Sequence, residues 1–214
     1  MRRGLVIAAT VGVTGAAVAA YVRKVEPWFR RWGATGDEVS GKLAVDDLVE
    51  PGVDATTRAI TIRAPIDDVW PWLAQIGQDR AGFYSYARLE NLVGAGMHNA
   101  RSVHAEWQDR SRGDSVWLAE ERRYHDVGRQ VAALVEPPHA LVLVSPDDWD
   151  RLERGARATG AWGFFLVPCG DTCTRFIIRS SGGPVGTHLF DALHFVMEQK
   201  MMRSMRDRVE ALTA

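Results

Sequence analysis

The sequence predicts an α+β fold: an antiparallel sheet that carries a long C-terminal helix, preceded by an N-terminal membrane-spanning helix. Three observations predict it. Residues 5–22 form an uncharged run of 18. From Gly113 onward, short β-branched and apolar runs alternate with turn residues. The chain then closes on a stretch from about Thr187 to Leu212 whose apolar residues follow helical spacing.

Taken in order, Leu5–Val22 is flanked by Arg2-Arg3 and Arg23-Lys24. A spanning helix needs about 20 apolar residues and tolerates about 17, so the run is just long enough. It is rich in Ala and Gly rather than Leu, which weakens its insertion. Ala17-Val18-Ala19 also fits a signal-peptide cleavage pattern. The first 24 residues therefore read as a transmembrane anchor or a signal segment, with a soluble helix as the third alternative. Single-pass membrane placement is the expectation, with the side of the membrane open. Residues 1–31 carry a net +5 and leave −6 for the rest of the chain.

Residues 25–54 hold Pro27, Gly33, Gly36, Gly41, Pro51 and Gly52 and read as a juxtamembrane linker with at most short helical turns. Trp28 and Trp32 belong either at a headgroup interface or on the domain. Residues 55–214 make the folded domain. Thr57–Arg63 puts Ile60 and Ile62 on one face of a strand. Pro65 opens a helix followed by Ile66, Val69, Trp70, Leu73 and Ile76, and Pro71 is expected to kink it or delay its start. A second short helix carries Leu89, Leu92 and Val93 on one face and stops at Gly94 and Gly96. Val116–Leu118, Gln130–Val135, Ala140–Val144, Ala161–Val167 and Thr174–Arg179 read as strands; Pro137-Pro138 and Gly170-Asp171 mark turns. Consecutive strands joined by short turns make an antiparallel sheet. Leu189, Leu193, Val196, Met197, Met201, Met205, Val209 and Leu212 trace the apolar face of the last helix, which needs the sheet to lie on.

Composition narrows the function classes. With 26 Lys+Arg against 27 Asp+Glu, the chain has no basic footprint for nucleic acid. No phosphate loop, dinucleotide fingerprint, HExxH helix or nucleophile elbow occurs, so no cofactor is implied. His104-Ala-Glu106 with Cys169 and Cys173 approaches a zinc-deaminase pattern, but three residues separate the cysteines rather than two, and they flank a hairpin turn; no metal is expected. Those cysteines read either as a cross-strand disulfide, given a three-residue loop that opposes them and an oxidising compartment, or as two buried free thiols.

The element order and a set of phrases resemble the START-like SRPBCC superfamily, polyketide cyclase/dehydrase-like, in its actinobacterial-type members. The phrases are Ala64-Pro-Ile-Asp-Asp-Val-Trp-Pro-Trp-Leu-Ala-Gln-Ile-Gly77, Asp79-Arg-Ala-Gly-Phe-Tyr-Ser-Tyr86, Leu89-Glu-Asn-Leu92 and Met97-His-Asn-Ala100. Glu106-Trp-Gln108, Gly113-Asp114 and Phe195-Val-Met-Glu-Gln-Lys200 complete the set. The resemblance covers roughly residues 55–212 and implies a helix-grip fold, a curved antiparallel sheet wrapped around the C-terminal helix with a cavity between them. Such a cavity implies a small hydrophobic ligand, a lipid or a polyketide-like molecule. Tyr84, Tyr86, His98, Trp107, Trp117, Trp162, Met197 and Met201 are the candidates to line it, since aromatic bodies with polar tips and adaptable Met side chains suit such a wall. The superfamily also holds cyclases and dehydratases, for which His98, His104 or Glu106 would serve with a Tyr. A domain that fills its own pocket and acts by protein contacts is the remaining reading.

Overall fold

The computed structural model describes residues 25–213. The anchor or signal segment expected at 1–24 lies outside the described residues. Among the described residues, no helix is long and apolar enough to cross a membrane.

Three short helices come first: α1 (Glu26–Arg30), α2 (Gly36–Ser40) and α3 (Val45–Leu48). Thr35 caps α2, its hydroxyl accepting from the Glu38 amide while the Glu38 carboxylate accepts from the Thr35 amide. Strand β1 (Ala55–Ile62) follows, then α4 (Ile66–Ala74) and α5 (Ala87–Leu92). Pro65 sits at the N-cap of α4, and the helix runs through Pro71 to Ala74. Strand β2 (Ser115–Trp117) leads to the single turn α6 (Glu121–Tyr124), then β3 (Arg129–Glu136) and β4 (Ala140–Val144). Helix α7 (Pro146–Glu153), strands β5 (Gly160–Pro168) and β6 (Thr174–Gly182) and the long helix α8 (His188–Thr213) complete the order.

The six strands form one antiparallel sheet in the order β1-β6-β5-β4-β3-β2. Period-2 alternation assigns the faces. Ile60, Ile62, Leu141, Leu143, Phe164, Leu166, Phe176 and Ile178 join a core with Val69, Trp72 and Leu73 of α4 and Met201, Met202, Met205 and Val209 of α8. Ala59, Val142, Val144, Phe165 and Ile177 point the other way and pack with Val45 and Val49. A register shift between Ala132 and Leu134 marks a bulge in β3. Burial of both faces explains why β4 reads as the unbroken apolar run Ala-Leu-Val-Leu-Val.

Residues 25–54 therefore cover the second face of the sheet, at least in part. Two outward-facing arginines of β6 hold them there. Arg175 pairs with the Glu38 carboxylate and donates to the Gly33 carbonyl. Arg179 donates to the carbonyls of Glu38, Val39 and Gly41 and pairs with Asp46. Gly33, at φ +71°, lets this chain approach β1: an added Cβ would stand 2.1 Å from the Ala59 carbonyl oxygen. Trp32 packs at the margin of the main core, under Arg203, whereas Trp28 is 56% exposed and stands edge-to-face with Phe195.

Helix α8 is buried unevenly. Met201, Met202, Met205 and Val209 are closed off, but Leu189, Leu193 and Val196 stay exposed, as do Leu89, Leu92 and Val93 around α5. The apolar face expected along the whole helix is thus core only from Met201 to Val209, and Leu212 at its end is exposed. Under its N-terminal half the space is open.

Candidate functional site: a cavity under the last helix

That open space is a cavity of about 540 Å³ between the N-terminal half of α8 and the core-facing side of the sheet. Phe83, Met97, Leu118, Trp162, Met197 and Met201 give it a largely apolar wall. Phe83 reaches it through the turn at Gly82, where φ is +73° and an added Cβ would lie 1.8 Å from the His98 carbonyl oxygen. Trp162 stacks on Phe83 at 5.7 Å and lies 4.7 Å from Phe164, measured between ring centroids.

The polar part of the wall centres on Glu198, one turn below His194 on α8. Arg58 and Glu198 form an ion pair whose side chains are 0% and 1% exposed. Arg58 shares the face of Ile60 and Ile62 on β1 and also donates to the Phe29 carbonyl at 2.8 Å. The other Glu198 oxygen accepts from the Trp162 indole at 2.7 Å and from the Ser180 hydroxyl at 2.9 Å. His194 Nε2 lies 3.2 Å from that same oxygen. Burial alone would raise the Glu198 carboxyl; the adjoining imidazole and Arg58, with the Arg58 and Ser180 hydrogen bonds, outweigh it and hold it below the ordinary carboxylate value. Burial pulls His194 below the ordinary imidazole value, and Arg58 adds to that pull against the carboxylates of Glu198 and Asp191. Both directions favour a neutral imidazole beside an ionised carboxylate.

With Nε2 facing a carboxylate, the neutral ring keeps its proton there, and Nδ1 becomes an acceptor. His194 Nδ1 is buried and has no hydrogen-bond partner among the described residues. Glu90 of α5 also lines the cavity; its Oε2 is buried without a partner, and burial raises its carboxyl above the ordinary value.

The sequence candidates divide. Trp162, Met197 and Met201 line the cavity. Tyr84 does not: it is core, its hydroxyl donating to the Trp72 carbonyl at 3.0 Å and accepting from Gln75 at 2.8 Å. Tyr86 is on the surface below Lys200. Trp117 is half-buried on edge strand β2 and outside the lining. His98 is exposed; Trp107 packs at the margin of the core with its ring 4.2 Å from that of His104. His104 Nδ1 stands 3.4 Å from Glu106, both well exposed. Gln75 draws this segment onto α4 by accepting from the His104 amide and donating to the Ser102 carbonyl, so it lies away from the cavity. Cys169 and Cys173 are joined at the β5–β6 turn with their Cα atoms 5.1 Å apart.

Arg58, Glu90, Ser180, His194 and Glu198 were not anticipated. Two signals in the sequence point to them. His194 and Glu198 are four apart on a helix and so share a face. Arg58 stands at an inward position of a strand that otherwise reads as apolar alternation.

No family model matches the chain, and no curated protein matches it. Solved structures similar to it include a polyketide-cyclase-like protein of Corynebacterium glutamicum, 15% identical, with a TM-score of 0.34 over 77% of this chain and 85% of that one. The Aha1 dimer of Colwellia psychrerythraea is 12% identical, with a TM-score of 0.45 over 73% of this chain and 96% of that one. The self-sacrificing resistance protein CalC of Micromonospora echinospora is 12% identical, with a TM-score of 0.44 over 73% of this chain and 94% of that one. The domain itself carries one antiparallel sheet and a long C-terminal helix with a cavity between them.

Proposed function

We propose that the domain binds a small hydrophobic ligand, a lipid or polyketide-like molecule, in the cavity under α8. The observation that carries this reading is the mostly apolar space of about 540 Å³ beneath Phe190, His194, Met197 and Met201 of α8. Ligand sites are commonly concave, apolar and fitted with a few polar groups. Met201→Trp fills the space from a side chain that is already buried. Native mass spectrometry of the full chain should show a co-purifying small molecule in the wild type and much less in Met201→Trp. Equal occupancy in both sinks the reading.

Residues 1–24 tether this domain to a membrane as a single-pass anchor in the same proposal, on the strength of the 18-residue uncharged run. Full-length protein should fractionate with membranes while residues 25–214 do not.

A second reading, cyclase/dehydratase-like turnover of the ligand, is favoured by one observation: a neutral imidazole backed by a carboxylate on the cavity wall is the arrangement of a general base. Conversion of the co-purified molecule, lost in His194→Gln, tests it.

A further inference from the structure

We infer that the cavity selects apolar ligands whose head group donates a hydrogen bond, an alcohol, phenol or amine, and rejects carboxylates and other anions. The inference rests on the ligand-binding reading above and names the class of ligand.

The cavity lining contains no Lys or Arg among the described residues. It does contain three acids, Glu90, Asp148 and Glu198. Arg58 is outside the lining and stands behind Glu198, with Nη1 on that carboxylate and Nε on the Phe29 carbonyl; its Nη2 is buried without a partner among the described residues. Asp148 is satisfied by the Thr159 amide and hydroxyl and the Ser145 hydroxyl, with Arg151 3.9 Å away. An anion entering here would lose its hydration, find no counter-charge and face Glu90.

The hydrogen-bond groups point the same way. Most side-chain donors on the wall are committed to protein acceptors: the Trp162 indole and Ser180 hydroxyl to Glu198, the Ser145 and Thr159 hydroxyls to Asp148, the Ser85 hydroxyl to the Met197 carbonyl, and the Gln130 amide to the Arg129 carbonyl. Two acceptors are not: His194 Nδ1 and Glu90 Oε2, both buried. The Ser181 hydroxyl is also unengaged and can give or take. Buried polar atoms left without partners are costly, so a ligand that supplies donors gains what an acceptor-only ligand cannot. His194 is the stronger of the two marks, because Glu198 fixes which ring nitrogen is left as the acceptor.

The test uses three C12 probes that differ only in the head: dodecan-1-ol, 1-methoxydodecane and dodecanoate. The full chain is equilibrated with an equimolar mixture, unbound probe is removed, and the retained probes are quantified by mass spectrometry. Met201→Trp carried through the same steps gives the background. The alcohol should be retained about tenfold or more over both the ether and the carboxylate, a difference of roughly 1.4 kcal/mol. Retention of the carboxylate or the ether at the level of the alcohol overturns the inference while leaving the ligand-binding reading intact. Retention of none of the three above background overturns both. Glu90→Gln brings an uncommitted amide donor onto the wall and removes a carboxylate, so it should raise the share of ether and carboxylate several-fold. Gln130→Lys, which sets a cation on the same lining, should raise the carboxylate more than the ether. Unchanged ratios in both variants count against the donor–acceptor account, even if the alcohol leads in the wild type.

Discussion

Arg58 and Glu198 are 140 residues apart in sequence and form a closed ion pair that ties β1 to α8 directly behind the cavity wall. Each is almost wholly buried, so each depends on the other for its charge. Glu198→Ala leaves the guanidinium unpaired and strips Trp162 and Ser180 of their acceptor, and should cost about 3–5 kcal/mol in urea unfolding. The double variant Arg58→Met/Glu198→Met should recover a large part of that loss, because no charge is then buried. A single Glu198→Ala variant with an unchanged midpoint would show that the pair does not hold the helix.

The pH dependence of stability has a sign fixed by His194. Its folded value lies below its unfolded value, near 6.5. Between the two, the unfolded chain binds the proton and the folded chain does not, so stability rises with pH and falls as pH drops below about 6.5. Once pH passes below the folded value, this loss levels off. Glu198 acts at more acid pH: with its carboxyl lowered when folded, its contribution is present above an unfolded value of 4.5 and is lost as pH falls through the folded one. Unfolding midpoints compared at pH 7.5 and 5.5 should drop for the wild type and drop less for His194→Gln. An equal drop in the variant would assign the effect to other groups.

Most of the fold was legible because its signals are local. The strands announced themselves by alternation and by Gly or Pro at their ends, and α8 by an unbroken helical run. Helix α7 was missed, although Ser145 caps it by accepting from the Asp148 amide and Pro146 opens it; its apolar face is only Trp149 and Leu152, three apart, too few residues to set a period. The site was harder to see. Tyr84, Trp107 and His98 are the aromatic and polar types a pocket uses, but Gln75 holds Tyr84 in the core and draws the 102–104 segment beside Trp107 onto α4, contacts between residues far apart in sequence. Arg58 and Glu198 become a site only when β1 and α8 meet. The readable clues are Arg58, a lone charge in an otherwise apolar strand, and the four-residue spacing of His194 and Glu198 on one helix face.

The β5–β6 turn offers a covalent check. Cys169 and Cys173 are joined across a short loop, and the Cys169 amide also donates to the Cys173 carbonyl at 2.9 Å. Closing so small a loop constrains the unfolded chain by only about 2 kcal/mol. Protein harvested from an oxidising compartment should show no free thiol when counted under denaturing, non-reducing conditions. Cys173→Ser should lower the urea midpoint by no more than that modest amount. Two titratable thiols in such protein would refute the pairing.

Two methionines one helix apart in environment separate cavity from core. Met197 is half-buried and lines the cavity, while Met205 lies in the packed region at 0% exposure. Met→Ala in a filled core costs about 2–5 kcal/mol, because the lost contacts are joined by the cost of a new void. At Met197 the void already exists, so removal of the side chain only enlarges it and the cost should sit at the low end. Met205→Ala opens a fresh hole between α8 and the sheet and should sit at the high end. Urea unfolding of the two variants therefore gives an ordering rather than a single number: Met205→Ala should be the less stable by 1 kcal/mol or more, on the order of one cavity's worth. Ligand retention should move the other way, with Met197→Ala shifting which probe lengths are held and Met205→Ala leaving them as in the wild type. If Met197→Ala proves as destabilising as Met205→Ala and leaves retention untouched, the N-terminal half of α8 is ordinary core and the space beneath it holds no ligand.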